Sequence, residues 1–187
     1  MKELLKNILW KITPLLMLIL RIFFDKEYLT GRYFEKSLGG YVLALKSIWC
    51  KNILRLGKPR RFPTGLTCHI SNDKKIHFHP DDLNNFQSPG TYFQNFKGHI
   101  YIGRGSYIAP NVGIITANHQ LTDLDAHTEG LDVRIGEKCW IGMNSVILPG
   151  VELGNNTIVA AGAVVTKSFP QGKVVLAGVP AKIVKEI

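Results

Sequence analysis

The sequence predicts an all-β core, a parallel β-helix of stacked triangular coils, behind a helical N-terminal extension. Three observations predict it. First, aliphatic residues recur every six positions, at Ile102, Ile108 and Ile114 and again at Ile135, Ile141, Ile147, Leu153, Val159 and Val165. A small residue usually follows at once (Gly103, Ala109, Gly136, Gly142, Gly154, Ala160). A compact one sits four places on: Ser106, Val112, Cys139, Ser145, Val151, Thr157, Ala163. So strict a period fits short strands that each send one aliphatic side chain into a shared core and turn the corner on a small residue. Second, the corner residue is larger at Ile115, Leu148 and Thr166, and the last two lie 18 residues apart, so three hexads make one coil. Third, Ile115 and Leu148 lie 33 apart, which is 18 plus 15. A loop of about fifteen residues therefore leaves the helix between Asn118 and Val133, and long loops on rigid scaffolds usually carry function.

The elements follow in order. A chain of 187 residues suits one domain with a small appended element, divided here into a basic helical region, 1–58, and the β-helix, 59–187. Leu4, Leu5, Ile8, Leu9, Ile12, Leu15, Leu16, Ile19, Leu20 and Phe23 follow helical spacing and predict one apolar face, with Lys2, Lys6, Lys11 and Arg21 on or beside the other. The longest uncharged run, Ile12 to Leu20, is too short to span a bilayer and holds Pro14. No small-residue cleavage site follows, so a signal peptide is not expected. The helix reads as lying in an anionic membrane interface, or as packing on its own β-helix or on a partner subunit. A second helical stripe is Phe34, Leu38, Tyr41, Leu45, Ile48, Asn52 and Leu56, with a bend expected at Gly39-Gly40. Irregular strands are expected from Arg60 to Phe62. Ile70 and Ile76, six apart, place the first coils, and Ser88-Pro89-Gly90 turns into the string Tyr92-Phe93-Gln94-Asn95-Phe96.

Charge separates the two regions. Residues 1–75 hold 15 Lys/Arg against 5 Asp/Glu, a balance of +10, and residues 76–187 hold 8 against 9, a balance of −1. The basic region carries neither a recognition motif nor an aromatic platform, so nucleic acid is excluded and an anionic membrane surface fits better. Three cysteines, Cys50, Cys68 and Cys139, have no metal spacing and point to a reducing, cytoplasmic compartment. Cys139 stands at a core position of the repeat.

From about Ile100 to Ile183 the chain resembles the hexapeptide-repeat acyltransferases with a left-handed β-helix. The closest branch holds the maltose, galactoside and capsular-polysaccharide O-acetyltransferases. The resemblance rests on Ile108-Ala109-Pro110-Asn111-Val112, Asn118-His119, Cys139-Trp140-Ile141-Gly142 and Ile147-Leu148-Pro149-Gly150-Val151. It continues through Ala161-Gly162-Ala163-Val164-Val165-Thr166-Lys167 and Ala177-Gly178-Val179-Pro180-Ala181-Lys182. The resemblance supplies the left hand, which the spacing leaves open. It implies transfer of an acetyl group from acetyl-CoA to a hydroxyl, without a metal, in a homotrimer whose active sites lie between subunits.

The implied roles are specific. His119, at the loop root, matches the catalytic histidine; an alcohol needs a base as it attacks, and an imidazole with its ordinary pKa near 6.5 suits. The backbone N–H of Met143 matches the oxyanion donor. A missing side chain at Gly142 lets the thioester approach, and Trp140 walls the acyl site. Pantetheine runs along Ala161, Gly162 and Thr166, and Lys167 and Lys182 meet the nucleotide end. Asp123, Asp125 or a backbone carbonyl is expected to orient His119. For the acceptor, Gln94 and Asn95 are candidates without a residue-level match, and Asp81-Asp82 either faces the sugar or starts a turn. His69, His77, His79, His99 and His127 match no motif and read as surface or structural residues; His77-x-His79 lacks a third metal ligand.

The leading expectation is an O-acetyltransferase on the inner face of the cytoplasmic membrane, acting on a sugar of a cell-surface polysaccharide or its lipid-linked precursor. The alternatives are an acetyltransferase for a soluble sugar, amino sugar or xenobiotic, and a non-enzymatic scaffold.

Overall fold

The computed structural model describes residues 2–187, with side chains described from Trp10 onward. The chain forms two compact units, one ending at Leu66 and one spanning Thr67–Ile187. This division falls later than the 58/59 boundary expected, and the reason is local. The Arg61 guanidinium reaches Glu27 at 2.7 Å, the Tyr28 hydroxyl at 2.8 Å and Asp25 at 3.2 Å. Phe62 packs its ring 5.1 Å from that of Tyr28. No strand forms over Arg60–Phe62; these residues close the helical unit instead, and the first strand is His69–Ile70.

In the helical unit, α1 (Lys2–Phe23) runs unbroken through Pro14. Proline removes the N–H that would bind the Trp10 carbonyl, and the Thr13 hydroxyl donates to that carbonyl instead, at 2.8 Å. The expected single apolar face divides. Leu20 and the following Phe24 are buried, while Ile12, Leu15, Ile19 and Phe23 are exposed with Leu18 and Ile22. The side chains of Lys2, Leu4, Leu5, Lys6, Ile8 and Leu9 lie outside the described residues. After a short α2 (Arg32–Glu35), α3 (Gly39–Ile48) begins at Gly39, so the expected bend lies just before the glycine pair. Phe34, Tyr41 and Ile48 of the second stripe are buried, whereas Leu45 and Leu56 face solvent.

The β-helix has three walls. The first stacks strands His69–Ile70, Tyr92–Gln94, Gly113–Ile115, Val146–Ile147 and Val164–Val165. The second stacks Ile76–His77, Ile100–Ile102, Val133–Ile135 and Glu152–Leu153. The third stacks Tyr107–Ile108, Trp140–Ile141, Ile158–Val159 and Val174–Ala177, and an antiparallel strand, Lys182–Glu186, closes it. All other pairings are parallel and keep the aliphatic residues in register, as Ile114 on Ile147 and Ile147 on Val165. These side chains, with Ile70 and Phe93, form a fully buried column. Three places after seven of the nine aliphatic residues the backbone turns through positive φ, at Gly105, Asn111, Lys138, Asn144, Gly150, Asn156 and Gly162.

The first coils are longer than 18 residues, and buried asparagines bridge them. The Asn95 amide donates to the Asn72 carbonyl at 2.6 Å and accepts from its N–H at 2.9 Å. Asn85 does the same for Ser106 and Ile108, both at 2.9 Å. Each side chain stands in for a missing ladder peptide, as buried backbone groups require.

Candidate active site

The long loop leaves the first wall after Ile115 and rejoins the second at Val133, so it stands on the edge between them. It folds as a hairpin. The Thr128 N–H donates to the Asn118 carbonyl at 2.8 Å and the Gln120 N–H to that of Ala126 at 2.9 Å, leaving His119 opposite His127. Asp123 accepts from the Asp125 N–H at 3.0 Å and shapes the tip. His119 is exposed, and its Nδ1 lies 2.6 Å from the Leu124 carbonyl oxygen. A carbonyl only accepts, so Nδ1 carries the hydrogen and the neutral ring keeps its lone pair on Nε2. Of the orienting groups expected, the backbone carbonyl fills the role, not Asp123 or Asp125.

Two further residues hold this histidine. The His127 ring lies 4.3 Å from that of His119, with Phe96 edge-on at 4.9 Å behind it. Gln94 donates to the Ala117 carbonyl at 2.9 Å and accepts from the N–H groups of Thr116 and Ala117 at 3.1 and 3.2 Å. Its amide is thus committed to the loop root rather than turned to an acceptor. Asn95 is 0% exposed. A fully buried amide cannot meet a sugar, so that expectation is corrected: Asn95 belongs to the ladder. The aspartate pair starts a turn, since Asp81 binds Arg104 at 2.7 Å and buried Asp82 accepts from the Gly105 N–H at 2.8 Å.

Of the residues expected on the donor side, Trp140, Gly142, Met143, Ala161 and Gly162 lie along another edge, between the third and first walls. Trp140 is outward and exposed, on a strand between Tyr107 and Ile158 in register. Gly142 is buried, and a side chain there would lie 2.6 Å from the Val159 carbonyl oxygen and the Ala161 nitrogen. Backbone of the next coil already fills the space expected for a thioester; the glycine lets coils stack. The open backbone is one coil on. Gly162, at φ +72°, has nothing within 4 Å of the position a side chain would take, and its N–H donates to the Met143 carbonyl at 2.9 Å. Met143 and Ala161 beside it are exposed. Thr166 and Lys167 are exposed on the loop's own edge, Lys167 over the Phe169 ring at 5.7 Å, and Lys182 is exposed on the closing strand.

His119 and the Met143–Gly162 edge are separated by the first wall. Between them lie the left-handed turn at Asn144 and the strand Val146–Ile147. The loop also carries the exposed leucines Leu121, Leu124 and Leu131.

The other histidines are engaged elsewhere. His77 Nε2 meets His99 Nδ1 at 2.9 Å, and the His77 ring stacks on Tyr101, whose ring lies 4.1 Å beneath Arg134. His79 accepts from the Asp81 N–H at 3.1 Å. Cys139 is buried in the core column, where burial pushes its thiol above the ordinary range.

Comparison with known proteins agrees with this architecture. Residues 132–167 match the family model for bacterial transferase hexapeptide (six repeats). Galactoside O-acetyltransferase of Escherichia coli (strain K12) is 40% identical over 91 residues, 47% of this chain and 44% of that protein. "Putative lipopolysaccharide biosynthesis O-acetyl transferase WbbJ" of the same strain is 39% identical over 99 residues, 46% of this chain and 50% of that protein. The solved structure of a galactoside acetyltransferase in complex with coenzyme A aligns with a TM-score of 0.55 and 30% identity, covering 64% of this chain and 58% of that one. The chain spans about half the length of the curated relatives it matches. Its repeat unit is a left-handed β-helix, and over about half of its length the chain is similar to the hexapeptide-repeat acetyltransferases.

Proposed function

We propose that this protein transfers an acetyl group from acetyl-CoA to a sugar hydroxyl of a cell-surface polysaccharide or its lipid-linked precursor. The observation that carries the reading is His119, exposed at the loop root with Nδ1 tied to a carbonyl and Nε2 left to take a proton. His119 Nε2 removes the acceptor's proton as that oxygen bonds to the thioester carbonyl carbon. It returns the proton to sulfur as the C–S bond breaks, so no net charge is left on the enzyme. The Met143 N–H serves the oxygen that gains charge. Coenzyme A supplies the acetyl group as a thioester. The open backbone at Gly162, beside Ala161, fits its pantetheine arm, with Trp140 beside the acyl end and Lys182 toward the phosphates, while Thr166 and Lys167 stand across the first wall on the loop's edge.

The wall between the two edges favours a shared site. One chain places its base on the edge across the first wall from its own Met143–Gly162 edge, so a homotrimer lets the His119 of one copy face the Gly162 groove of the next. The relative named for lipopolysaccharide biosynthesis supports a surface-glycan acceptor. Exposed Ile12, Leu15, Ile19 and Phe23 on α1, with Lys11 and Arg21 nearby, support a peripheral position on an anionic membrane. Among the described residues no helix is long and apolar enough to cross one.

The test is CoA release from acetyl-CoA in the presence of lipid-linked oligosaccharides, free glycans, amino sugars and galactosides. Release with a lipid-linked or polymeric glycan, and an ester on its hydroxyl, is expected. Release only with amines or small free sugars would move the acceptor class, and absence of both CoA binding and release would remove the enzymatic reading.

A further inference from the structure

We propose that the helical unit seats a second surface on an anionic bilayer: the stripe Val42, Leu45, Trp49, Ile53 and Leu56. This rests on the peripheral-membrane reading above and extends it from α1 to α3 and the turn that follows. Val42, Leu45 and Trp49 follow helical spacing along α3 and its end, Ile53 closes the π-helical turn Trp49–Ile53 one turn on, and Leu56 follows just beyond the helix. All five are exposed, Val42 to 62% and Ile53 to 58%. The unit's own core does not need them, because Tyr41, Ala44 and Ile48 fill it from the other face.

Charge selects the occupant. From Lys36 to Asn72 there is no Asp or Glu, against Lys36, Lys46, Lys51, Arg55, Lys58, Arg60 and Arg61. Lys51 and Arg61 turn inward, to Thr64 and to Asp25 and Glu27. Lys46, Arg55 and Lys58 stay exposed beside the stripe. Among the described side chains, the unit's acids are engaged within it, Asp25 and Glu27 with Arg61 and Glu35 with the Gly31 N–H. A second copy would bring the same cations against this face, and like charges oppose that pairing. An anionic lipid surface brings the opposite charge, with ~1 kcal/mol available per basic residue close to it. Trp49 suits the boundary, its ring in the acyl region and its indole N–H among headgroups.

The experiment uses the full chain carrying Trp10→Phe and Trp140→Phe, so that Trp49 alone reports. Vesicles of phosphatidylcholine with phosphatidylglycerol are compared with phosphatidylcholine alone. With anionic vesicles, Trp49 emission is expected to shift to the blue and to be quenched by brominated acyl chains. Leu45→Glu with Ile53→Glu should weaken vesicle binding ~tenfold or more, since affinity follows buried apolar area. With Trp10 and Trp140 left in place, the two Glu substitutions should leave oligomer size, unfolding midpoint and turnover on a soluble acceptor as they were. Binding that survives these substitutions with Trp49 unquenched overturns this inference and leaves α1 as the membrane contact. Substitutions that dissociate the oligomer overturn it in favour of a second copy. A chain that ignores anionic vesicles altogether removes the peripheral-membrane reading as well.

Discussion

Substituting Gly142 and Gly162 by alanine should separate a glycine that builds the coil from one that leaves room for a ligand. At Gly142 the added methyl meets the Val159 oxygen and Ala161 nitrogen at 2.6 Å and the Ala160 carbonyl carbon at 2.9 Å. Ordinary contact lies near 3.5 Å, so adjacent coils must part by several tenths of an ångström. Overpacking of this kind costs ~1–3 kcal/mol. The strain falls on two hydrogen bonds, Gly142 N–H to Val159 and Gly162 N–H to Met143, at 2.8 and 2.9 Å. Each is worth ~1 kcal/mol, so the total loss comes to ~3 kcal/mol or more. At Gly162 the methyl meets nothing, and the cost is the left-handed backbone alone, ~1–2 kcal/mol. Urea unfolding of the full chain and calorimetric titration with coenzyme A give both readouts. Gly142→Ala should lose ~3 kcal/mol or more in urea unfolding, whereas Gly162→Ala should stay folded and bind coenzyme A at least several-fold more weakly. A stable Gly142→Ala protein with selectively impaired coenzyme A binding would refute the packing role and restore the expected thioester site.

Other outcomes follow from the same geometry. Gln94→Ala removes two bonds from buried Ala117, while Thr116 N–H keeps the Gln94 carbonyl at 3.0 Å; it should cost ~1–3 kcal/mol in urea unfolding and lower turnover ~tenfold through a displaced His119. Trimers assembled from equal amounts of His119→Ala and Gly162→Trp chains should recover about a quarter of wild-type activity, the share of interfaces joining an intact base to an intact groove; none is recovered if each chain works alone. Burial raises the Cys139 thiol. The folded chain therefore keeps that proton to higher pH than the unfolded chain, whose thiol titrates near ~8.5. Its contribution is full below that pH and falls as pH rises above it, so above about pH 8.5 wild type should lose urea stability more steeply with rising pH than Cys139→Ala.

The repeat was legible because a β-helix writes its geometry directly into the sequence: each hexad repeats the same contact, so Ile114, Ile147 and Val165 declare one column. The same regularity held a signal that went unread, the glycine or asparagine three places after most aliphatic residues, which marks the left-handed turns. His119 was legible by its motif. Its supports were not. Gln94 meets Thr116 and Ala117 across a coil of irregular length, so no fixed spacing links them, and Asn95 reads like a ligand-facing amide until its pairing with Asn72 is seen. His127 depends on the hairpin that turns it back onto His119. Gly142 was misread because a glycine that admits a ligand and one that admits the next coil are identical in sequence. In the helical unit, apolar residues line both the buried and the exposed faces, so periodicity alone could not say which side of α1 packs.

The most direct measurement is the steady-state rate of acetyl transfer by His119→Ala, on an acceptor the wild type uses, with coenzyme A binding and oligomer size measured on the same preparation. The account predicts a fall in kcat of ~100-fold or more, the scale for losing a general base, with binding and assembly unchanged. A rate within a few-fold of wild type would contradict it, because no proton acceptor at the loop root would then be needed for the chemistry.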